Sequence, residues 1–191
     1  VISGQSITVN ITPDATVTLR PGDNDNQTVC VNNPIINIRY DVGGSGTGGA
    51  VSGLPAGVTG TYAAGVITIT GTPTSAVGSP FTYTVTTTGP CLTPQVTGTI
   101  TVTDNATIAL TSAVGSDNQT LCINTPLLVN ITYAVGGTGT GGSVTGLPAG
   151  VTGVFAGGVL TISGTPTAAG VFNYTVLTTG PCIIPTATGT I

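Results

Sequence analysis

The fold is decided by residues 40–74, YDVGGSGTGGAVSGLPAGVTGTYAAGVITITGTPT, which return almost unchanged at residues 133–167 as YAVGGTGTGGSVTGLPAGVTGVFAGGVLTISGTPT. The repetition extends to the flanks, where DNQTVC at residues 25–30 returns as DNQTLC at residues 117–122. The 191-residue chain therefore holds two copies of one module. Each copy has about 90 residues, which is enough to bury a hydrophobic core of its own.

Apolar and polar residues alternate with a period of two in each module, and helical spacing is absent. The runs are rich in Val and Thr and are bounded by Gly, Pro and Asn, as in GLPAG at residues 53–57. About seven such strands per module are typical of an immunoglobulin-like sandwich. We predict an all-β fold of tandem immunoglobulin-like β-sandwich modules arranged end to end. The predicted inward-facing side chains are Ile36, Ile38, Tyr40, Val42, Phe81, Tyr83, Val85, Val129, Ile131, Tyr133, Val135, Phe172, Tyr174 and Val176.

The module boundaries follow from a strand that appears three times. SGQSITVN at residues 3–10 resembles TGTITVT at residues 97–103, and TGTI at residues 188–191 begins the same strand again. An alternative role for the first of these strands is to complete the sandwich of another copy, as in donor-strand pilins. The predicted segments are residues 1–12 as the last strand of a preceding repeat, 13–103 as the first module, and 104–191 as the second module with an incomplete last strand.

The chain carries few charges: two Arg, six Asp, and no Lys, Glu or His. Nucleic-acid binding needs clustered basic residues and an interfacial helix needs a basic face, so we expect neither nucleic-acid binding nor membrane insertion. No apolar run approaches the ~18 residues of a membrane span. The four cysteines, with no His beside them, indicate disulfides and an oxidising, extracellular setting.

We expect no enzymatic activity, because a nucleophilic Ser would find no His or Lys as its base and the Asp residues lie in turn sequences without a catalytic motif. We assign no catalytic residue and no cofactor. Asp23, Asp25 and Asp104 are weak candidates for calcium ligands near the inter-module linker, since calcium takes about six to eight oxygen ligands. The other interpretation is that these residues only shape turns, because Asp and Asn side chains hydrogen-bond their own backbone.

The four cysteines allow two pairings. In an immunoglobulin-like sandwich Cys30 would precede the second strand and Cys91 would follow the sixth, at opposite ends about 20 Å apart. A disulfide needs Cα atoms within ~7 Å, so we favour a bridge between modules, from Cys30 to Cys182. The same rule would join Cys91 to a preceding repeat and Cys122 to a following one. The alternative is one bridge per module, Cys30 with Cys91 and Cys122 with Cys182.

Five motifs within residues 27–103 carry a resemblance to a known family: QTVC, GLPAGVTG, GVITITGTPT, FTYTVTTTGPC and GTITVT, in that order. Together they resemble the repeats of SprB-type gliding-motility surface adhesins of Bacteroidota. The GLPAGV and GTPT motifs are also similar to Ig-like and cadherin-like modules of large bacterial adhesins. The resemblance covers both modules. It implies export by the type IX secretion system, display at the cell surface, and a role in adhesion or gliding motility.

We therefore expect a structural stalk segment of a repetitive extracellular adhesin or filament. Its expected partners are neighbouring repeats of the same chain, surface glycans, or other copies of the protein. One alternative is a module that binds glycan or ice through the outward Thr residues of FTYTVTTTG at residues 81–89. Another is a subunit of a strand-exchanged extracellular polymer. The close match between the copies favours the stalk, because a binding site should break the repeat.

Overall fold

In the computed structural model, residues 7–191 are described, and their regular secondary structure consists of 15 β-strands with no helix among them. None of these residues forms a helix long and apolar enough to cross a membrane. The prediction of an all-β chain is confirmed. Contacts divide the chain into two compact units, unit 1 up to Val102 and unit 2 from Thr103 to Ile191. The predicted module boundary lies one residue further along the chain.

Unit 1 contains two four-stranded sheets. The first sheet has the order β1-β3-β6-β5 and the second has the order β2-β8-β7-β4. β3 pairs with β6, and β7 with β8, in antiparallel orientation. The strands are β1 Thr16–Leu19, β2 Asn26–Cys30, β3 Ile38–Gly43, β4 Gly48–Ser52, β5 Val58–Ala63, β6 Val66–Gly71, β7 Phe81–Thr88 and β8 Gln95–Thr103.

Unit 2 repeats this arrangement. Its sheets have the orders β12-β13-β10-β9 and β11-β14-β15, which match the two sheets of unit 1 except for the strand equivalent to β2. At that place Asn118 makes a single parallel bridge with Thr190. The strands are β9 Ala106–Leu110, β10 Ile131–Gly137, β11 Gly141–Thr145, β12 Val151–Ala156, β13 Val159–Gly164, β14 Asn173–Thr179 and β15 Thr186–Thr190.

Each unit has its own hydrophobic core between its two sheets, built from the alternating residues that the sequence singles out. In unit 1, Ile38 and Tyr40 of β3 lie beside Ile69 and Ile67 of β6 and are fully buried. Tyr83 of β7 faces them from the other sheet and is also fully buried. Unit 2 buries Ile131, Tyr133, Leu160, Ile162, Tyr174 and Val176 in the same way.

Two of the predicted inward-facing residues point outward. Ile36 is 77% exposed and Val129 is 46% exposed, because β3 begins at Ile38 and β10 at Ile131. The backbone of Ile36 is instead held by the side chain of Gln27, whose amide takes the place of a strand partner. The prediction for Ile36 and Val129 is therefore wrong.

The predicted strand at residues 1–12 falls partly outside the described residues. Of the part that is described, residues 7–12 are not in a strand, and Ile7, Val9 and Ile11 are 85%, 75% and 91% exposed. Cys30 also differs from its prediction, because it is the last residue of β2 rather than part of a loop before the second strand. Period-two alternation did not reveal β2, since its one buried residue is the polar Gln27.

Candidate disulfide sites and the motifs that position them

The repeated DNQT motif fixes the chain just before the first cysteine of each unit. In unit 1 the buried Gln27 side chain donates to the carbonyl oxygens of Asn24 at 3.0 Å and Ile36 at 2.8 Å, and accepts from the Ile36 amide at 2.9 Å. All three bonds are made to backbone groups, so the Gln27 side chain ties the DNQT segment to the chain that leads into β3. Gln119 makes the equivalent three bonds in unit 2, with Ser116, Val129 and Leu128.

A pair of buried tyrosines then ties the motif to both sheets. Tyr83 donates a hydrogen bond to the carbonyl oxygen of Asp25 at 3.1 Å, and its hydroxyl lies 3.0 Å from that of Tyr40. Burial, followed by the bond with Tyr40, raises the pKa of Tyr83, and burial also raises the pKa of Tyr40, so both hydroxyls stay protonated at neutral pH. Tyr174 repeats the arrangement with Asp117 and Tyr133, each at 3.1 Å. We call these arrangements the tyrosine pins of units 1 and 2.

Each tyrosine pin requires a glycine on the adjacent strand. A Cβ atom on Gly98 of β8 would collide with the hydroxyl and ring of Tyr83 and with the carbonyl of Asp25. Gly189 of β15 has the same relation to Tyr174 and Asp117. The TGT motif of the last strand therefore recurs because the tyrosine occupies the space that a side chain would need.

Unit 1 also carries two ion pairs on the β1-β3 surface. Arg39 binds Asp23 through two side-chain hydrogen bonds of 2.7 and 2.9 Å, and Arg20 binds Asp41 in the same way. The hydrogen bonds from Arg39 and Arg20 hold the pKa values of Asp23 and Asp41 below their usual range. Unit 2 replaces this network with hydroxyl groups, as in the bond of 2.9 Å from Thr111 to Thr132.

The three weak calcium candidates are not brought together as one cluster. The Asp23 carboxylate is occupied by Arg39, and its side chain is only 6% exposed. Asp25 accepts a bond of 2.7 Å from the side chain of Asn26, and Asp104 belongs to unit 2. Among residues 7–191 no three His, Cys, Asp or Glu side chains lie close enough to hold a metal ion. Calcium binding stays a prediction, and Asp23 would have to release Arg39 to take part in it.

The first cysteine of each unit ends the segment that follows the DNQT motif. After Cys30 the chain turns: Asn33 donates to the Cys30 carbonyl at 3.0 Å, and Asn32, with φ of 64°, donates to the Pro73 carbonyl at 2.8 Å. After Cys122 the same turn forms, with Thr125 on the Cys122 carbonyl at 3.2 Å and Asn124 on Pro166 at 2.8 Å. Cys30 and Cys122 therefore occupy the same position in their sandwiches, and we call it the β2-end position.

The second cysteine of unit 1 lies where the chain enters the unit. The Cys91 sulfur is 3.7 Å from the carbonyl oxygen of Thr12. Next to it, Leu92 donates to the Asp14 carboxylate at 3.3 Å and accepts from Ala15 at 3.1 Å. These contacts fasten the loop between β7 and β8 to the entering chain, and we call the place of Cys91 the entry position.

The second cysteine of unit 2 has nearly identical surroundings. The Cys182 sulfur is 3.8 Å from the carbonyl oxygen of Thr103. Ile183 donates to the Asn105 side chain at 3.4 Å and accepts from Ala106 at 3.1 Å. Cys182 therefore occupies the entry position of its unit.

The two positions lie at opposite ends of a sandwich. Asn32, two residues after Cys30, binds Pro73 in the loop before β7, whereas Cys91 follows the end of β7. The eight residues of β7 span roughly 25 Å, and a disulfide needs Cα atoms within about 7 Å. Cys30 and Cys182 are disulfide-bonded, whereas Cys91 and Cys122 are free thiols. One bridge inside each unit would require both of the free thiols, so these cysteine states favour the bridge between units.

A groove of about 260 Å³ opens beside the last strand of unit 2. Ile191 exchanges two backbone hydrogen bonds with Phe172, which gives it the place that Ile100 has opposite Phe81 in unit 1. In unit 1 the strand continues past Ile100 to Val102, whose side chain is only 3% exposed. The walls of the groove include Leu121, Ile123, Ala169 and Phe172.

Comparison with solved structures defines the class of fold. The chain is similar to the I-band fragment I67-I69 from titin, with a TM-score of 0.62, 10% sequence identity, and coverage of 95% of this chain and 65% of that one. An E-to-A mutated variant of the titin I67-I69 domains matches with a TM-score of 0.61 and the same identity and coverage. The chain thus spans about two thirds of the titin fragments. At this identity the likeness shows the fold alone, and it confirms the prediction of an immunoglobulin-like β-sandwich.

No protein-family model matches the sequence, and no curated protein matches it. The likeness to solved structures alone defines the class, which is that of immunoglobulin-like β-sandwich proteins.

Proposed function

We propose that this chain is a structural stalk segment of a repetitive extracellular cell-surface adhesin or filament of the SprB type, which supplies reach and stiffness for adhesion or gliding motility. In this proposal the two units are arranged end to end and have no catalytic role. The observation that carries it is the state of the cysteines: a β2-end cysteine of unit 1 and an entry cysteine of unit 2 are disulfide-bonded. We infer that Cys30 and Cys182 are bonded to each other.

Several features support a mechanical role. Both units bury separate cores and carry the same tyrosine pin, so each is built as an independent element of a quasi-linear array. A disulfide also indicates an oxidising environment, which fits a location outside the cell. His, Lys and Glu are absent from the sequence, which supports a role without catalysis.

With a Cys30–Cys182 bridge, a pulling force would pass through the disulfide and would bypass most of the chain. Tension applied at the two ends would run from the first strands to Cys30, across the covalent bond, and out through the last strand after Cys182. Residues 31–181, which contain β3 to β14, would carry none of it. The segment would therefore keep its length under a load that extends an uncrosslinked sandwich.

Single-molecule pulling from the chain ends tests this function. We expect the oxidised protein to extend only by the residues outside 31–181, and a reductant to release about 150 residues more, on the order of 500 Å of chain. The double variant Cys91→Ser/Cys122→Ser should behave like the wild type, whereas Cys30→Ser/Cys182→Ser should extend fully without reductant. Full extension of the oxidised wild type would contradict the proposal. So would two locked segments of about 60 residues each, which would indicate one bridge per unit.

A further inference from the structure

We propose that Cys91 and Cys122 each form a disulfide equivalent to the Cys30–Cys182 bond, and that each of these disulfides attaches another repeat of this type, one on each side. The partner is thus a second copy of the repeat: Cys91 accepts a β2-end cysteine and Cys122 accepts an entry cysteine. This inference rests on the proposed function, because it extends the proposed Cys30–Cys182 bond to the neighbouring joints.

The first observation concerns Cys91, which has the same surroundings as a cysteine that is already bonded. Its sulfur stands 3.7 Å from a backbone carbonyl of the entering chain, and the sulfur of Cys182 stands 3.8 Å from the corresponding carbonyl. The loops around both are fastened by the same pair of hydrogen bonds. Cys91 is only partly buried and is a thiol. A disulfide at the entry position therefore needs no change in the fold of unit 1.

The second observation concerns Cys122, whose counterpart Cys30 is also bonded. Both follow a DNQT motif that is held by a buried glutamine, and both precede a turn whose Asn has a positive φ and donates to a proline carbonyl. Cys122 is an exposed thiol. Each free thiol therefore occupies a position at which the other unit carries a bonded cysteine. Cys91 lies at an entry position and Cys122 at a β2-end position, which are the two positions that the proposed bridge joins.

The consequence is a ladder of overlapping bridges. A bridge from Cys30 to Cys182 encloses residues 31–181, and a bridge from Cys122 to the next repeat would begin inside that range. The backbone between Cys122 and Cys182 would then lie inside two bridges at once. A single proteolytic cut in that stretch would leave the array connected, because at least one disulfide still joins the fragments.

The chemical step is thiol–disulfide exchange with a low-molecular-weight disulfide such as oxidised glutathione. The Cys122 thiolate attacks one sulfur of oxidised glutathione, which releases one reduced glutathione and leaves a mixed disulfide on Cys122. The Cys91 thiolate of the second copy then attacks the Cys122 sulfur and releases the second glutathione. Two protein thiols are oxidised and one glutathione disulfide is reduced to two thiols, so atoms and electrons balance.

The experiment uses the 191-residue chain and two matched variants, Cys91→Ser and Cys122→Ser, each incubated with oxidised glutathione and separated on non-reducing gels. We expect the wild type to form a ladder of oligomers that reductant removes, and each variant alone to lose that ladder. An equal mixture of the two variants should stop at a dimer, because it offers one Cys91 and one Cys122. Circular dichroism checks that the variants keep the fold.

Peptide analysis of the bands separates the possible outcomes. A Cys91–Cys122 link between two copies supports the inference. Dimers of a single variant as abundant as those of the mixture, a Cys91–Cys122 bond inside one monomer, or no link at all would each overturn it. The same peptide analysis shows whether the peptides that contain Cys30 and Cys182 are linked to each other. A missing bond between those two would instead contradict the proposed function, so the two failures are distinguishable.

Discussion

The hydroxyl oxygens of Tyr40 and Tyr83 lie 3.0 Å apart in the core of unit 1, although the two residues belong to different sheets. Tyr83 also holds the backbone of Asp25, immediately before β2. One buried hydroxyl pair therefore links both sheets to the segment that leads to Cys30. The same relation between Tyr133, Tyr174 and Asp117 leads to Cys122 in unit 2.

Replacing Tyr83 by Phe should destabilise unit 1 by about 1 to 3 kcal/mol, because the buried Tyr40 hydroxyl loses its partner and the Asp25 carbonyl keeps only the Thr99 amide. Urea unfolding followed by circular dichroism measures the loss. Tyr62→Phe is the matched control, since unit 2 already has Phe155 at that place, and it should cost less than about 0.5 kcal/mol. Equal costs for the two variants would contradict the role of the tyrosine pin.

Gly189→Ala should lower the stability of unit 2 by about 2 kcal/mol or more, because the new methyl group would displace Tyr174 and break its bond to Asp117. Gly142→Ala is the control within the same unit. A Cβ atom there would meet its nearest neighbour, Phe155, at 3.3 Å, which a small shift relieves. Hydrogen exchange resolved by unit measures both variants. Similar effects of the two substitutions would argue against the steric explanation.

Acid should weaken unit 1 more than unit 2. The pKa values of Asp23 and Asp41 are lower in the folded state than in the unfolded chain. The ion pairs therefore stabilise unit 1 fully above the unfolded pKa of about 4, and this contribution is lost as the pH falls through the lowered folded values. At the positions of Arg20, Arg39 and Asp41, unit 2 has Thr111, Thr132 and Ala134, which do not titrate.

Hydrogen exchange at pH 3 and pH 6, corrected for the intrinsic rates, measures this difference between the units. The double variant Asp23→Asn/Arg39→Gln should reduce the pH dependence of unit 1 without affecting unit 2. A pH dependence of unit 1 that the double variant leaves intact would show that the ion pair is not its cause.

Adding Thr-Val-Thr after Ile191, a copy of residues 101–103, should stabilise unit 2. The added Val would enter the groove beside Leu121 and Phe172, as Val102 is buried in unit 1. Burial of one such side chain contributes about 1.5 to 3 kcal/mol. Thermal unfolding of this chain is compared with that of a chain extended by Thr-Asp-Thr, which should gain nothing. An equal effect of both extensions would exclude the groove as the site of the added residue.

The sequence predicts the sandwich because its strands follow a simple physical rule: Ile38, Tyr40, Tyr83 and Val85 alternate with polar residues and all four are buried. It misses β2 because Gln27 is a polar residue that is buried only by virtue of bonds to distant backbone groups. The alternation also predicts Ile36 wrongly, because its backbone is bound by the Gln27 side chain and not by a neighbouring strand. A period-two pattern cannot reveal such a side-chain bond.

The pairing of the cysteines stays a prediction. Strand count places Cys91 after β7, whereas Cys30 was expected in a loop and instead ends β2. The tyrosine pins depend on hydrogen bonds between residues far apart in the chain, and only the recurrence of Asp-Asn-Gln-Thr, Tyr and Gly in both copies pointed to them. The ion pair of Arg39 with Asp23 in unit 1 could not be predicted from recurrence, because unit 2 lacks the arginine.

The most direct test of the account is the pairing of Cys30, measured by mass spectrometry after cleavage before each Asp without reductant. The sequence then places Cys30 in residues 25–40, Cys91 in residues 41–103, and Cys122 and Cys182 together in residues 117–191. With Cys122→Ser as the starting protein, we predict that peptide 25–40 is linked to peptide 117–191 through Cys182. Peptide 25–40 linked to peptide 41–103 would mean a bridge inside one sandwich and would contradict the account.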